Sequence, residues 1–193
     1  MEFILYILAL FLSGFIVIIS IPPIIRVSRA KNLFDHPDER KVHKTTIPSL
    51  GGVAIFLGVV LSSIIASDGY NFDPLKYIIA SVILVFFIGL KDDLMIISSR
   101  KKFVVQFFAA AILVFLGNIH LTNLHGIFGL HDIPYGTSIL LSVFVILTFV
   151  NAFNLIDGID GLASGIGILG SLILGIWFHF AGYVTFSILS FAL

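Results

Sequence analysis

Three stretches without a formal charge constrain this chain more than any other feature: Phe3 to Ile25, Ile133 to Ile156 and Gly161 to Leu193, of 23, 24 and 33 residues. A helix needs about 20 apolar residues to cross the hydrocarbon core of a bilayer. A soluble globule of 193 residues could not hide them, because 59% of the chain is hydrophobic, only 11% is charged and the mean hydropathy is +1.13. The expected fold class is therefore all-α, a polytopic transmembrane helix bundle forming one integral membrane domain over residues 1–193. Only Glu2 precedes the first run, with no basic segment, so that run reads as a first transmembrane helix rather than a cleaved signal. No cysteine is present, which excludes disulfides and thiolate metal sites.

Hydropathy predicts six helices, at residues 3–25, 47–67, 74–90, 103–119, 136–153 and 162–181, with residue 183 beginning a seventh. The third has the shortest charge-free core, Tyr77 to Leu90, and requires Lys76 to snorkel outward along its aliphatic stem. Residues 118–137 alternate weakly between Gly and Pro punctuation and suggest a small extracytoplasmic hairpin. The glycines and serines of "GLASGIGILGSLILG" suit close helix packing, and His179, inside an apolar run, suits an interhelical hydrogen bond.

The basic residues orient this bundle. Arg26, Arg29, Lys31, Arg40, Lys41 and Lys44 fall in the first connection and Lys91, Arg100, Lys101 and Lys102 in the third, leaving only Lys76 for the second and none for the fourth. The positive-inside rule makes the first and third connections cytoplasmic and the N-terminus extracytoplasmic, and alternation puts "NAFNLIDGIDG" inside as well.

The carboxylates then share one face. Asp92 and Asp93 follow the third predicted helix and Asp157 and Asp160 the fifth. An Asp at the centre of a membrane helix costs about 2.5–3.5 kcal/mol, so these positions call for the interface or a watered cavity. Paired Asp residues serve helix capping as well as metal binding, but adjacent carboxylates repel unless a cation neutralises them. Magnesium takes oxygen ligands and is commonly held by one or two carboxylates together with substrate phosphates. Asn151, Asn154 and Asp157 recur every third residue and would share one helical face. The segment "DHPDERKVHKTTIPSLGG" adds Arg40, Lys41, His43 and Lys44 as a clamp for an anion. Metal ligands, bases and close-approach glycines beside lipid point to phosphoryl transfer to or from a lipid.

Three segments, "RKVHKTTIPSLGG", "GLKDDLMIISSRKKFVVQ" and "NAFNLIDGIDGLASG", in this order, resemble the polyprenyl-phosphate N-acetylhexosamine-1-phosphate transferases, the family 4 glycosyltransferases of bacteria. The resemblance implies transfer of an N-acetylhexosamine 1-phosphate from a UDP-sugar to undecaprenyl phosphate with release of UMP, at the cytoplasmic face of the inner (plasma) membrane, using Mg2+. It implies that Asp92 orients or deprotonates the lipid phosphate with Asp93 in support, and that Asn154 and Asp157 lie at the metal. His43, Lys44, Lys102, Asn151 and Asp160 would contact substrate. The implied partners are undecaprenyl phosphate, UDP-N-acetylhexosamine and the lipid bilayer. No nucleic acid is called for, and a homodimer is compatible with the pattern. Family members typically continue through later helices with a further Asp-containing loop and a His-rich loop, so residues 1–193 are expected to be an N-terminal part, inactive alone.

Two other classes share some features. The D-x2-D-G-x2-A-R pattern of CDP-alcohol phosphatidyltransferases is met at Asp157, Asp160 and Gly161 and then fails at Ser164. An ion-coupled transporter would place its carboxylates near the bilayer midplane at broken helices rather than along one face. The topology is open to direct test, because the chain has no native cysteine. Single cysteines at Ser49 and Ser99 should react with a membrane-impermeant reagent from the cytoplasm, and one at Asn123 from outside; labelling at Ser99 from outside would overturn the shared face.

Overall fold

A computed structural model describes residues 2–35, 47–48, 50–67, 69–70, 73–95, 97–156, 159 and 161–193. Among them the helices follow in the expected order: α1 (Glu2–Ala30), α2 (Gly51–Ala66), α3 (Asp73–Leu94), α4 (Ser99–Ala111), α5 (Tyr135–Ile156), α6 (Leu162–Phe180) and α7 (Val184–Ala192). The only ladder among the described residues is the two-residue antiparallel pair β1 (Phe34–Asp35) and β2 (Ile47–Pro48), in the register Phe34 to Pro48 and Asp35 to Ile47. The all-α expectation therefore holds. Helices α1, α3, α5 and α6 are long and apolar enough to cross a membrane, whereas α2 has 16 residues.

Helix ends differ from hydropathy where capping chemistry overrides it. Pro22 and Pro23 lie inside α1 and do not end it. The helix continues to a left-handed Asn32, φ 54°. Leu33 N donates to Ser28 O at 2.9 Å and Asn32 N to Arg29 O at 3.3 Å, the paired bonds of a Schellman cap. Arg26 and Arg29 thus belong to the end of α1 rather than to the loop, where Arg29 complements the negative end of the helix dipole. Helix α6 ends the same way at Gly182, φ 80°, through Tyr183 N to Phe178 O at 2.8 Å and Gly182 N to His179 O at 3.0 Å.

The chain divides into two compact units. The first comprises Met1–Phe72, Leu90–Ile96 and Ile156–Leu193. In it α1 packs on α2 and α7, and α7 also packs on α6. The contact surface is built from small residues: Ala9, Ala54, Ser62, Ser63 and Ala66 are fully buried, while Phe11, Ile18 and Phe180 face outward. A Cβ on Gly58 would stand 2.8 Å from Val17 Cγ2 and 3.0 Å from the Ser13 carbonyl, so glycine is what lets α1 and α2 approach. On α6, Gly175 meets the Phe191 ring and its carbonyl accepts from Ser187 Oγ at 2.8 Å, whereas a Cβ on Gly165, Gly167 or Gly170 would have nothing within 4 Å among the described residues. The small-residue packing expected along α6 is thus observed at Gly175 and not at those three. Tyr6 Oη lies 3.1 Å from His179 Nδ1, the interhelical bond expected of that histidine.

The second unit comprises Asp73–Gly89 and Ile97–Leu155. Ser81 Oγ donates to Ala109 O at 2.9 Å and ties α3 to α4. Beyond α4 one π-helical turn, Ile112–Leu116, ends at Gly117, and a Cβ there would sit 3.3 Å from Tyr77 Cβ. The expected hairpin is reduced to a single bridge between Asn123 and Asp132 around a 3-10 turn, Ile127–Gly129. It is fastened to the start of α5, where Ser138 Oγ donates to Leu121 O at 2.5 Å and Leu121 N donates to Ser142 Oγ at 2.8 Å. Lys76 does not snorkel alone; its Nζ lies 2.5 Å from Asp73 Oδ1 in the first turn of α3.

The glycine contact gives a stability prediction. Gly58→Leu should force α1 and α2 apart, costing about 1–3 kcal/mol by overpacking, while Gly165→Leu should be tolerated. Thermal unfolding in detergent compares the two; equal melting curves would refute the close contact.

Candidate active site

Asp92 and Asp93 lie within the last turn of α3, not in the loop after it, because the helix runs on to Leu94 and Met95 N still donates to Lys91 O at 2.8 Å. Asp92 is half-buried and Asp93 exposed. Both sit at the negative end of a helix dipole, a position that disfavours a carboxylate by about 0.3–1 kcal/mol. Lys91, in the same turn, offsets part of this.

The start of α4 shows the opposite mismatch. Ser98, with extended φ −65° and ψ 142°, begins the helix, and the Lys101 and Lys102 amides donate to its carbonyl at 2.9 and 3.3 Å. Arg100, Lys101 and Lys102 crowd the positive end of this helix, whose first turn has no acidic residue. Cations there oppose the dipole, whose positive end favours a bound anion. Lys102 is half-buried; Arg100 and Lys101 are exposed.

Asn151 and Asn154 lie in the final turns of α5, both exposed. Asn151 Nδ2 donates to Gln106 Oε1 at 3.0 Å and to Leu147 O at 2.8 Å. Gln106 itself is 8% exposed. This bond joins the middle of α4 to the last turns of α5. Lys102 is one turn before Gln106 in α4, and Asn154 is about one turn after Asn151 in α5. Gln106 had no role assigned from the sequence. Its signal was available, as the one amide within the otherwise apolar "FVVQFFAAA".

His43, Lys44, Asp157 and Asp160 lie outside the described residues. Among the described residues no group of three or more His, Asp or Glu side chains converges. The donors that are described here, the carboxylates of Asp92 and Asp93 and the amide of Asn154, are oxygen donors of the kind a hard divalent cation takes. Gly161, at φ 77°, begins α6 in a left-handed conformation that favours glycine, and Leu162 N donates to Ile159 O at 3.1 Å.

The model of glycosyl transferase family 4 matches residues 75–193. The chain is 31% identical over 169 residues to an undecaprenyl-phosphate alpha-N-acetylglucosaminyl 1-phosphate transferase of Escherichia coli (strain K12), covering 87% of this chain and 46% of that protein. It is 33% identical over 165 residues to a probable undecaprenyl-phosphate N-acetylglucosaminyl 1-phosphate transferase of Bacillus subtilis (strain 168), covering 83% of this chain and 45% of that one. The chain thus spans about half the length of the curated relatives it matches. No solved structure matches it. With its apolar helices ending in carboxylate, amide and basic side chains, and with a family match over more than half its length, this multi-pass membrane chain belongs to glycosyl transferase family 4.

Proposed function

We propose that this chain forms part of an enzyme that transfers an N-acetylhexosamine 1-phosphate from a UDP-sugar to undecaprenyl phosphate, releasing UMP, at the cytoplasmic face of the bacterial inner membrane, an initiating step of cell-envelope glycan synthesis. The observation that carries this reading is the placement of charge against the helix dipoles: carboxylates at the negative end of α3 and three cations at the positive end of α4. Each helix end disfavours the sign of these side chains, and a ligand of opposite sign, a cation at the first and phosphate at the second, would favour the arrangement. The printed names of the relatives supply the substrate class.

In this reading an oxygen of the lipid phosphate forms a bond to the sugar-bearing phosphorus. The bond from that phosphorus to the bridging oxygen breaks, and UMP leaves with that oxygen. Asp92 orients the lipid phosphate, and because a phosphate monoester is already largely ionised near neutral pH, its work is positioning more than proton removal. Asp93 supports it. Lys102 balances phosphate charge, and His43, Lys44, Asn151 and Asp160 hold the sugar nucleotide. Asn154 and Asp157 would hold magnesium, which when bound stabilises the charge that builds on the pyrophosphate.

The test uses the complete protein in membranes or detergent. Asp92→Asn and Asp157→Asn should each lower undecaprenyl-phosphate-dependent UMP release from UDP-N-acetylglucosamine by at least about 100-fold, the scale of losing one charge-stabilising group, with membrane insertion unchanged. Activity retained in both variants would sink the reading, as would wild-type turnover undiminished by chelation of divalent cations.

A further inference from the structure

The hydrogen bonds of Asn151 restrict what that residue can offer a ligand. A backbone carbonyl only accepts, so the side-chain atom 2.8 Å from Leu147 O is the amide nitrogen and not the oxygen. The same nitrogen lies 3.0 Å from Gln106, which must therefore present its own oxygen. Leu147, Asn151 and Gln106 form a chain of one polarity. Both Nδ2 hydrogens are used within the helix pair, and on this exposed residue Oδ1 is the group left to face outward.

We propose that Gln106 is a positioning residue that locks the Asn151 amide in this orientation, so that Asn151 meets its ligand as an acceptor and does not donate to a phosphate oxygen. The ligand group is then a hydroxyl or amide N–H of the N-acetylated sugar nucleotide, or the hard cation bound with it. The Leu147 carbonyl sets which way the amide points, and the buried Gln106 acceptor takes its second hydrogen: with an apolar side chain in place of Gln106, Asn151 keeps only the Leu147 bond and that hydrogen competes with Oδ1 for the ligand. The inference rests on the transferase reading, in which Asn151 contacts substrate.

The experiment is a double-mutant cycle on UMP release by the complete protein, with UDP-N-acetylglucosamine, undecaprenyl phosphate and magnesium varied separately. Gln106→Leu should raise one half-saturation value about 10-fold. A rise for the sugar nucleotide at saturating magnesium assigns Oδ1 to the sugar nucleotide, and a rise for magnesium assigns it to the cation. Half-saturation by undecaprenyl phosphate should not move. In an Asn151→Ala background Gln106→Leu should add less than about twofold, because the group it positions is gone. Gln106→Met, closer in shape to glutamine, serves if the leucine variant does not fold. Equal effects of Gln106→Leu in both backgrounds would mark a purely structural residue and overturn the proposal, as would an unimpaired Gln106→Leu beside an impaired Asn151→Ala. An unimpaired Asn151→Ala would overturn it while leaving the transferase reading intact, and absence of UMP release by the wild type would overturn both.

Discussion

Helices surrounded by lipid cannot be held together by expelling water, and the packing of this chain follows from that constraint. What remains is close van der Waals contact and hydrogen bonding between backbones. The buried residues of the first unit are accordingly mostly alanine, serine and glycine, joined by Tyr6 and Ile188, while Phe11, Ile18 and Phe180 point away. Gly58 against Ser13 and Gly175 against Phe191 mark where helices approach nearest. Hydroxyls join the contacts by donating to backbone carbonyls, as Ser187 does to Gly175 and Ser81 to Ala109. A polar side chain in such a setting must find a partner within the protein, which explains both the Tyr6–His179 bond and the Gln106–Asn151 bond.

The same constraint gives the helix ends their chemical role. Side chains that bind charged ligands belong where the helices leave the hydrocarbon, and there each helix also contributes the partial charge of its terminus. In α3 and α4 the ionised side chains have the sign that their helix end disfavours. A chain selected for helix stability alone would exchange them. Residues 95–98 are all that separates the two ends in sequence.

Much of this was legible in residue order. Hydropathy predicted six helices and the start of a seventh in their order of appearance, because crossing a bilayer is a requirement on composition that needs no knowledge of neighbours. Oxygen donors and bases at a membrane edge suggested phosphoryl transfer beside lipid, while the family itself was pointed to by the resemblance of the segments that hold Asp92, Asp93 and "NAFNLIDGIDG". What residue order left open was decided partly by the local hydrogen bonds that end helices and partly by contacts between segments distant in the chain. Hydropathy ended α1 near its prolines, but the Schellman cap at Asn32 carries it to Ala30 and draws Arg26 and Arg29 into the helix. It also put Asp92 and Asp93 in a loop, whereas their place in the last turn of α3 is what sets them against a dipole. Among four similar glycines of α6, only a facing aromatic ring singles out Gly175. The second acceptor of the Asn151 amide is a glutamine 45 positions away, and no local pattern encodes it, because a hydrogen bond between helices exists only once tertiary packing has brought them together.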